Sequence, residues 1–283
     1  MSTAPATMRN VSVDGINLEF EERGTGEPVV LIHGSTIKDD FLPVAHLPAL
    51  HGYRLIRYHR RGYGGSTGSQ GPISIEDQTR DCAGLIRALG IERAHVVGHS
   101  YGGVIALQLA LDAPELVHSL VLMEPALILV VPSGQAMMQQ MTPVMEMYQR
   151  GETAQAAAMF IQAISRPSAQ QIIDDVIPGG YEDALTMADM FFATEMPALG
   201  AWSFDKQRVA ARVKQPVLYV IGGETAPVFT EVQQLLAEAL PQMVSTTIAG
   251  ATHLLDIEKP GPSADAIAGF VRAHPMVGAN AAP

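Results

Sequence analysis

The sequence predicts an α/β fold with a mostly parallel central sheet that helices cover on both faces. Three observations support this prediction. Short apolar runs recur along the chain, segments with helical periodicity separate them, and one long central stretch contains only helical patterns. Short apolar runs are typical of strands buried on both faces of a parallel sheet. Their alternation with helices indicates crossover connections between parallel strands.

The chain begins with a predicted hairpin. Residues 10–24 alternate between apolar and polar side chains and contain Asp14-Gly15, a strong signal for a two-residue hairpin turn. The apolar runs that follow predict buried strands. Their sequences are PVVLIHG (28–34), YRLIRY (53–58), AHVVG (94–98), SLVLM (119–123), PVLYVIG (216–222) and MVSTTI (243–248).

Four segments with helical periodicity lie between or after these strands, at residues 74–89, 101–111, 228–240 and 263–273. The first segment has Ser74 as its N-cap and Asp77 at the capping-box position, where Glu or Gln is usual. Gly90 marks the end of the same helix, because glycine commonly follows the last helical turn.

Residues 132–212 interrupt this alternation with several helical pieces separated by prolines, and no good strand candidate occurs there. We therefore predict a helical cap at 132–212, inserted into a core domain formed by residues 1–131 and 213–283. The cap methionines have two interpretations, an adaptable wall over an apolar substrate or a small core of the cap itself. The second interpretation is the default. These methionines are at 137, 138, 141, 145 and 147.

Composition limits the function classes. Of the 283 residues, 47% are hydrophobic and 17% charged, which is enough apolar material for a large core. The net charge of −11 argues against nucleic-acid binding, which needs a clustered basic face. Cys82 is the single cysteine, so the chain forms no internal disulfide and no cysteine metal cluster.

The sequence also bears on location. The first ten residues, MSTAPATMRN, lack the basic and apolar regions of a secretory leader. The most apolar run, residues 120–132, is interrupted by Glu124 and Pro125 and is too short for a membrane helix. We therefore expect a cytoplasmic protein that does not bind membranes.

Ser100 is the candidate nucleophile. Residues 98–102, GHSYG, fit the pattern G-x-S-x-G, which is short enough to occur by chance. The context is more specific, because a predicted strand leads directly into the motif and a predicted helix follows it directly. That strand–turn–helix context is the one in which a nucleophile elbow presents its serine, in a strained turn whose glycines permit close chain approach. Such a serine needs a base.

His253 is the candidate base among nine histidines. It lies in AGATHLLDIEKP (249–260), between the last predicted strand and the last predicted helix. Loops that follow the carboxyl ends of parallel strands meet at one edge of a sheet, so His253 is expected near Ser100. The chain order serine, acid, histidine is also the order typical of an elbow-type site.

Four motifs in this order resemble the α/β-hydrolase family, and the resemblance covers nearly the whole chain. LIHG followed by Ser35 resembles the oxyanion loop, and YHRRGYGGS (58–66) resembles the D-x-R-G-x-G-x-S segment with His59 where Asp is usual. GHSYGG resembles the elbow, and GATHLLDIEKP resembles the histidine loop. The resemblance implies the α/β-hydrolase fold and a structural role for Arg61. It also implies an oxyanion hole formed by the backbone N–H groups of Ser35 and Tyr101.

The acid departs from the commonest pattern of the family, in which a carboxylate follows the strand after the insertion. Here that position is Ala226, and Glu224 lies two residues earlier. Glu124, at the end of SLVLM, has the placement found in haloalkane dehalogenases and zearalenone-type lactone hydrolases. A carboxylate in an apolar run is costly unless it is paired, and a triad acid is paired with the histidine. We predict Glu124 as the acid, with Glu224 and then Asp256 as alternatives.

The resemblance implies a serine hydrolase that cleaves a carboxylic ester through an acyl-enzyme, using Ser100, His253 and Glu124 and no metal or organic cofactor. The expected partner is a small apolar ester or lactone, and the oligomeric state stays open, a homodimer included. The alternatives are a lactonase, a cofactor-free perhydrolase or haloperoxidase, and a slow-turnover ligand receptor. A haloalkane dehalogenase is disfavoured, because that enzyme needs Asp and an adjacent Trp where Ser100 and Tyr101 stand.

Overall fold

A computed structural model describes residues 7–68 and 71–276 of the chain. Residues 1–6 and 277–283 lie outside the described residues. The first of these ranges contains part of the segment on which the prediction of no secretory leader rests. Within the described ranges the chain forms one sheet of eight strands with helices on both faces. The predicted α/β fold with a mostly parallel sheet is confirmed.

The sheet has the strand order β1-β2-β4-β3-β5-β6-β7-β8. The first two neighbouring pairs are antiparallel, and the other five are parallel. The strands are β1 Arg9–Val13, β2 Ile16–Arg23, β3 Pro28–Ile32, β4 Arg54–Tyr58, β5 Ala94–His99, β6 Val117–Met123, β7 Val217–Gly222 and β8 Met243–Ile248.

The hairpin between β1 and β2 turns at Asp14 and Gly15, whose φ angles are 46° and 87°. Two successive positive φ angles are the geometry of the tight hairpin turn that this dipeptide favours. The sequence prediction of this turn is confirmed, and the strand predicted at 243–248 has the bounds of β8.

Thirteen α-helices lie among the described residues. They are α1 Leu42–Ala45, α2 Ile75–Ala88, α3 Tyr101–Asp112, α4 Pro132–Gln140, α5 Thr142–Gln149, α6 Thr153–Ile164, α7 Ala169–Val176, α8 Gly180–Thr186, α9 Met196–Ala201, α10 Lys206–Arg212, α11 Pro227–Ala239, α12 Leu255–Glu258 and α13 Pro260–Ala273. A π-helical turn, Met190–Glu195, leads into α9. No helix among the described residues combines the length and the apolar character that crossing a bilayer requires.

Two apolar clusters fill the space on the two sides of the sheet. Helices α2, α3 and α11 pack on one face, and α1 and α13 pack on the other. Helix α3 is buried along almost its whole length, because both the sheet and α2 cover it. This central position fixes the turn that joins β5 to α3.

Local sequence determines where two of the core helices begin. Ser74 caps α2 by accepting from the Asp77 N–H at 3.0 Å, while the Asp77 carboxylate accepts from the Ser74 N–H at 2.9 Å. Aspartate thus completes the capping box in place of glutamate. Helix α13 begins at Pro260, three residues before the predicted start, because proline suits the first helical position, where no N–H partner is needed.

The helices α4 to α10 follow β6 and precede β7. These helices, which we call the cap, contain one apolar cluster of their own, which groups Met141, Met145 and Met147 with Phe191 and Phe192. A second cluster joins the cap to Ile37, Leu254 and Ile257. Met137, Met138 and Met141 also line a cavity beside the sheet edge. Met141 therefore belongs both to the small core of these helices and to the wall of the cavity.

Candidate active site

Ser100 occupies the sharp turn between β5 and α3. Its φ and ψ are 52° and −116°, a strained conformation for a residue with a side chain. The turn depends on its glycines, since a Cβ on Gly98 would lie 2.3 Å from the Gly102 carbonyl oxygen. A Cβ on Gly102 would lie 2.1 Å from the Ile32 carbonyl oxygen. The Ser100 N–H donates to the Met123 carbonyl at 3.0 Å, which anchors the turn to β6.

The structure brings His253 between Ser100 and Glu124. The Ser100 Oγ lies 2.9 Å from His253 Nε2, and Glu124 Oε2 lies 2.7 Å from His253 Nδ1. A carboxylate only accepts hydrogen bonds, so Nδ1 carries the proton and Nε2 is left to accept from the serine hydroxyl. This is the tautomer that a general base for serine needs. Phe229 stacks on the imidazole at 4.3 Å and restrains its orientation.

Glu124 is completely buried at the end of β6, and its φ is 43°. The backbone N–H of Gly222 donates to Oε1 at 2.7 Å, and the Thr225 hydroxyl donates to Oε2 at 2.9 Å. With the imidazole N–H, three donors face this carboxylate, which offsets the cost of burying its charge. The loop after β7 therefore supports the acid without supplying it.

The alternative acids lie elsewhere. The Glu224 side chain is 56% exposed and pairs with Arg166 at 2.9 Å. Asp256 is buried, but its carboxylate faces His99. The histidine loop is braced by Glu258, which accepts from both the N–H and the hydroxyl of Thr252. Of the three candidate acids, the structure brings only Glu124 to the His253 ring.

Burial lowers the pKa of His253 below its ordinary value, and the nearby charge of His99 lowers it further. The hydrogen bond and charge of Glu124 oppose this effect without cancelling it. The ring is therefore neutral at pH 7, and its Nε2 lone pair is available as a proton acceptor.

The backbone amides of Tyr101 and Ser35, the predicted oxyanion donors, lie at the start of α3 and in the loop after β3. The Tyr101 N–H is the first amide of α3, and the first amides of a helix have no intrahelical acceptor. In the oxyanion loop, the Gly34 N–H donates to Asp40 at 2.8 Å and the Thr36 N–H donates to Tyr63 at 3.1 Å. Ser35 lies between these two occupied amides and lines the same cavity as Ser100.

Arg60 and Glu195 form a buried pair that sequence reasoning missed. Arg60 donates to the carbonyl oxygens of His33 at 3.1 Å and Gly34 at 2.7 Å, so it holds the residues that precede Ser35. The same guanidinium lies 2.7 Å from Glu195 Oε1 in the cap, and neither side chain is exposed. A second arginine beside the family's Arg61 is the only signal in the sequence. Arg61 itself pairs with Asp81 at 2.6 Å, as its structural interpretation requires.

A cavity of about 50 Å³ adjoins the Ser100 hydroxyl and the His253 ring. Apart from Ser35, Ser100 and His253 its walls are apolar, and four of the apolar side chains are methionines. The apolar walls are Ala126, Ile128, Met137, Met138, Met141, Phe160, Ile164, Phe191, Met196, Leu199 and Phe229. Core and cap both contribute to this lining.

Comparisons with solved structures find the same fold. An esterase from Thermogutta terrifontis has a TM-score of 0.79 at 23% identity, covering 95% of this chain and all of that one. An enol-lactonase from Burkholderia xenovorans has a TM-score of 0.78 at 21% identity, covering 93% of this chain and 99% of that one. At these identities the two structures show the fold alone.

A curated relative is more similar in sequence over a shorter stretch. A protein of Azorhizobium caulinodans named as the carbamate hydrolase RutD is 41% identical over 106 residues. The match covers 37% of this chain and about two fifths of that relative's length, 39%. The profile of the Alpha/beta hydrolase family matches residues 29–266, which include the oxyanion loop, the elbow and the histidine loop. The chain belongs to the α/β-hydrolase family.

Proposed function

We propose that the protein is a serine hydrolase that cleaves a carboxylic ester with an apolar, uncharged acyl part. One observation carries this proposal. The hydrogen bonds from Glu124 through His253 to Ser100 form a continuous chain that ends at the apolar cavity. A neutral base, an oriented hydroxyl and a place for an acyl group are the requirements for nucleophilic attack on a carbonyl.

In the acylation step, Ser100 Oγ attacks the ester carbonyl while His253 Nε2 takes the hydroxyl proton. Glu124 holds the ring in the productive tautomer and stabilises the imidazolium that forms. The N–H groups of Ser35 and Tyr101 donate to the tetrahedral oxyanion. When the intermediate collapses, the bond to the alcohol oxygen breaks and His253 gives its proton to the departing alcohol.

Water then completes the reaction. His253 takes a proton from a water molecule that attacks the acyl-enzyme carbonyl, and the second tetrahedral intermediate is stabilised by the same two amides. The bond between the acyl carbon and Ser100 Oγ breaks, and His253 returns the proton to the serine. The products are a carboxylic acid and the free enzyme.

The lining of the cavity supports an apolar acyl group. Among the described residues, its walls contain no Lys, Arg, Asp or Glu, so a charged substrate group would lose its hydration without gaining a partner. Methionine side chains adapt to irregular apolar shapes, which suits a substrate that is not flat. A free carboxylate on the acyl part is therefore expected to reduce kcat/KM strongly.

The size of the cavity favours a second substrate type, a lactone. A volume of about 50 Å³ is small beside the ~300–1,000 Å³ typical of sites for drug-sized ligands. A cyclic ester holds its acyl and alcohol parts in one compact ring, and the attack on its carbonyl uses the same groups. Ring opening is therefore the cyclic form of the same reaction.

The test is a panel of p-nitrophenyl esters of rising acyl length together with lactones, assayed on the wild type, Ser100→Ala, Glu124→Ala and Glu224→Ala. We expect Ser100→Ala and Glu124→Ala to lose orders of magnitude in kcat, and Glu224→Ala to stay close to the wild type. Full activity in Ser100→Ala would refute the proposal. A large loss in Glu224→Ala with little loss in Glu124→Ala would move the acid to the loop after β7.

Two further measurements separate the remaining alternatives from hydrolysis. A perhydrolase would show peroxide-dependent halogenation that exceeds its ester cleavage. A slow-turnover receptor would be stabilised by a ligand against heat without releasing measurable product. Rapid ester or lactone turnover without peroxide is the outcome that we expect.

A further inference from the structure

Three buried ionisable side chains lie directly behind the proposed base. His99 Nδ1 is 3.0 Å from Asp40 Oδ2 and 3.2 Å from Asp256 Oδ2, and all three residues are almost completely buried. They come from the end of β5, from the loop before α1 and from α12. None of them touches the cavity beside Ser100, and the mechanism described above does not use them.

The hydrogen-bond partners of His99 indicate which of its ring nitrogens carry a proton. Its Nε2 lies 2.9 Å from the carbonyl oxygen of His253, which has no proton to give, so Nε2 must be the donor. Its Nδ1 faces carboxylate oxygens of Asp40 and Asp256. The simplest arrangement that satisfies both nitrogens is an imidazolium with a proton on each.

This cluster connects the two halves of the proposed machinery. Asp40 Oδ2 accepts from the Gly34 N–H at 2.8 Å, and Gly34 precedes Ser35 in the oxyanion loop. The other ring nitrogen of His99 donates to the backbone of His253, the proposed base. One carboxylate oxygen and one ring therefore link Gly34 to the histidine loop through a chain of three hydrogen bonds.

We propose that His99 is a positioning residue that stays protonated during turnover, with Asp40 as its counter-ion, and that it orients both the base and the oxyanion loop. This inference rests on the proposed function, because it assigns a role to His99 only within that site. The positive charge also acts through space, since the rings of His99 and His253 have their centroids 4.9 Å apart.

The electrostatics of the cluster agree with this assignment. Although burial alone would lower it, the carboxylates of Asp256 and Asp40 raise the pKa of His99 to about 9. Burial raises the pKa of Asp256, and the charge of His99 opposes this effect. Three charged groups act on the His253 ring. Glu124 and Asp40 raise its pKa, and His99 lowers it.

A metal ion is the competing explanation of the cluster. The ligand atoms of Asp40, His99 and Asp256 all lie within 4.8 Å of one another, a spacing that also suits a cation. Binding through Nδ1 would require that nitrogen to lose its proton. Elemental analysis of the purified protein distinguishes the two, and stoichiometric zinc or another metal would overturn the imidazolium assignment.

The direct test is NMR of protein labelled with [15N]histidine, recorded without substrate from pH 6 to pH 9. We expect the signal of a ring with both nitrogens protonated at pH 8 that disappears in His99→Gln and is retained in the control His95→Gln. His95 is a suitable control because it is a buried histidine at the other end of β5. A neutral His99 at pH 7 would overturn the proposal, whatever reaction the protein catalyses.

The kinetic test is the pH dependence of kcat/KM in His99→Gln, with folding checked by circular dichroism. Removing the cation is expected to raise the pKa of His253, because a nearby charge shifts a pKa by about one unit or more. The acid limb of the profile, where kcat/KM falls as the pH is lowered, is then expected to move to higher pH by about one unit. In His95→Gln the limb is expected to stay in place. If His99→Gln does not fold, Asp40→Asn replaces it, and His99 is then expected to lose its second proton at least one pH unit lower. An unchanged limb in a folded His99→Gln, or an unchanged titration in Asp40→Asn, would contradict the proposal.

Discussion

The amino ends and the carboxyl ends of the parallel strands form what we call the amino edge and the carboxyl edge of the sheet. Both carry the same three residue types in hydrogen-bond contact. At the amino edge, Ser119 Oγ lies 2.7 Å from His95 Nδ1, and Glu27 Oε2 lies 3.3 Å from His95 Nε2. At the carboxyl edge, the candidate triad has similar distances. Contact between a serine, a histidine and a glutamate therefore does not by itself make a nucleophile.

The two serines differ in their backbone position and in their access to a cavity. Ser119 belongs to β6 and is completely buried, so its hydroxyl has no space in which to meet a substrate. Ser100 sits in a strained turn, faces a cavity and has helix and loop amides beside it. The ring partners are also exchanged, because the carboxylate faces Nε2 at the amino edge and Nδ1 at the carboxyl edge. A site needs access and oxyanion donors as well as the three side chains.

The sharpest contrast is between the two serines. We expect Ser100→Ala to lower kcat by about 10⁴-fold or more, since removing a triad nucleophile costs this much. Ser119→Ala is expected to retain kcat within about threefold, because its hydroxyl only bonds a buried ring. Hydrolysis of a p-nitrophenyl ester measures both. A comparable loss in both variants would abolish the distinction between the two edges.

The two glutamates give the next largest contrast. Glu124→Gln keeps the shape of the side chain but removes the charge that stabilises the imidazolium, so kcat is expected to fall about a thousandfold or more. Glu27→Gln, at the amino edge, is expected to leave kcat within about threefold. The two values of kcat are compared at saturating ester. A Glu124→Gln enzyme with normal kcat would show that another group orients His253.

The pH dependence tests the two histidines. As the pH falls through the lowered pKa of His253, its Nε2 becomes protonated and can no longer accept the serine proton. We therefore expect kcat/KM to fall about tenfold per pH unit, starting below the ordinary histidine value of about 6.5. The profile of kcat/KM against pH measures this, and His95→Gln is expected to leave it unchanged. A midpoint well above 6.5 would mean that Glu124 outweighs burial.

The smallest expected effect is on the free energy of unfolding, to which the amino edge is expected to contribute more than the carboxyl edge. Ser119→Ala leaves the buried His95 without a partner on Nδ1, which is expected to lower the free energy of unfolding by about 1–2 kcal/mol. Ser100→Ala is expected to change it by less than about 0.5 kcal/mol. Urea denaturation followed by circular dichroism gives both values. Equal losses would show that the amino-edge cluster contributes no more to stability than the candidate site.

Much of the fold was accessible from local sequence. The turn at Asp14-Gly15, the cap at Ser74 and the elbow around Ser100 depend on residues that are neighbours in the chain. The placement of Glu124 also followed from a local argument, because a carboxylate that interrupts an apolar run needs a partner. These features are governed by backbone sterics and burial, which sequence patterns report directly.

The interactions that sequence reasoning missed all join distant segments. Arg60 meets Glu195 across the interface of core and cap, and His99 meets Asp40 and Asp256 from three separate elements. The periodicity of a sequence does not predict which loop of the core a cap helix contacts, because that contact depends on the packing of the whole insertion. From the sequence, His99 was only the residue before the nucleophile.

The buried pair of Arg60 and Glu195 has a consequence for how molecules reach and leave the cavity. Lifting the cap as a rigid body would separate two buried charges, and breaking a buried pair costs several kcal/mol. We therefore expect substrate to pass between side chains while the cap stays docked. The unbranched methionines of the cavity wall rotate easily, and side-chain rotations are far faster than hinge motions. The rate of exchange then depends on the bulk of a few side chains.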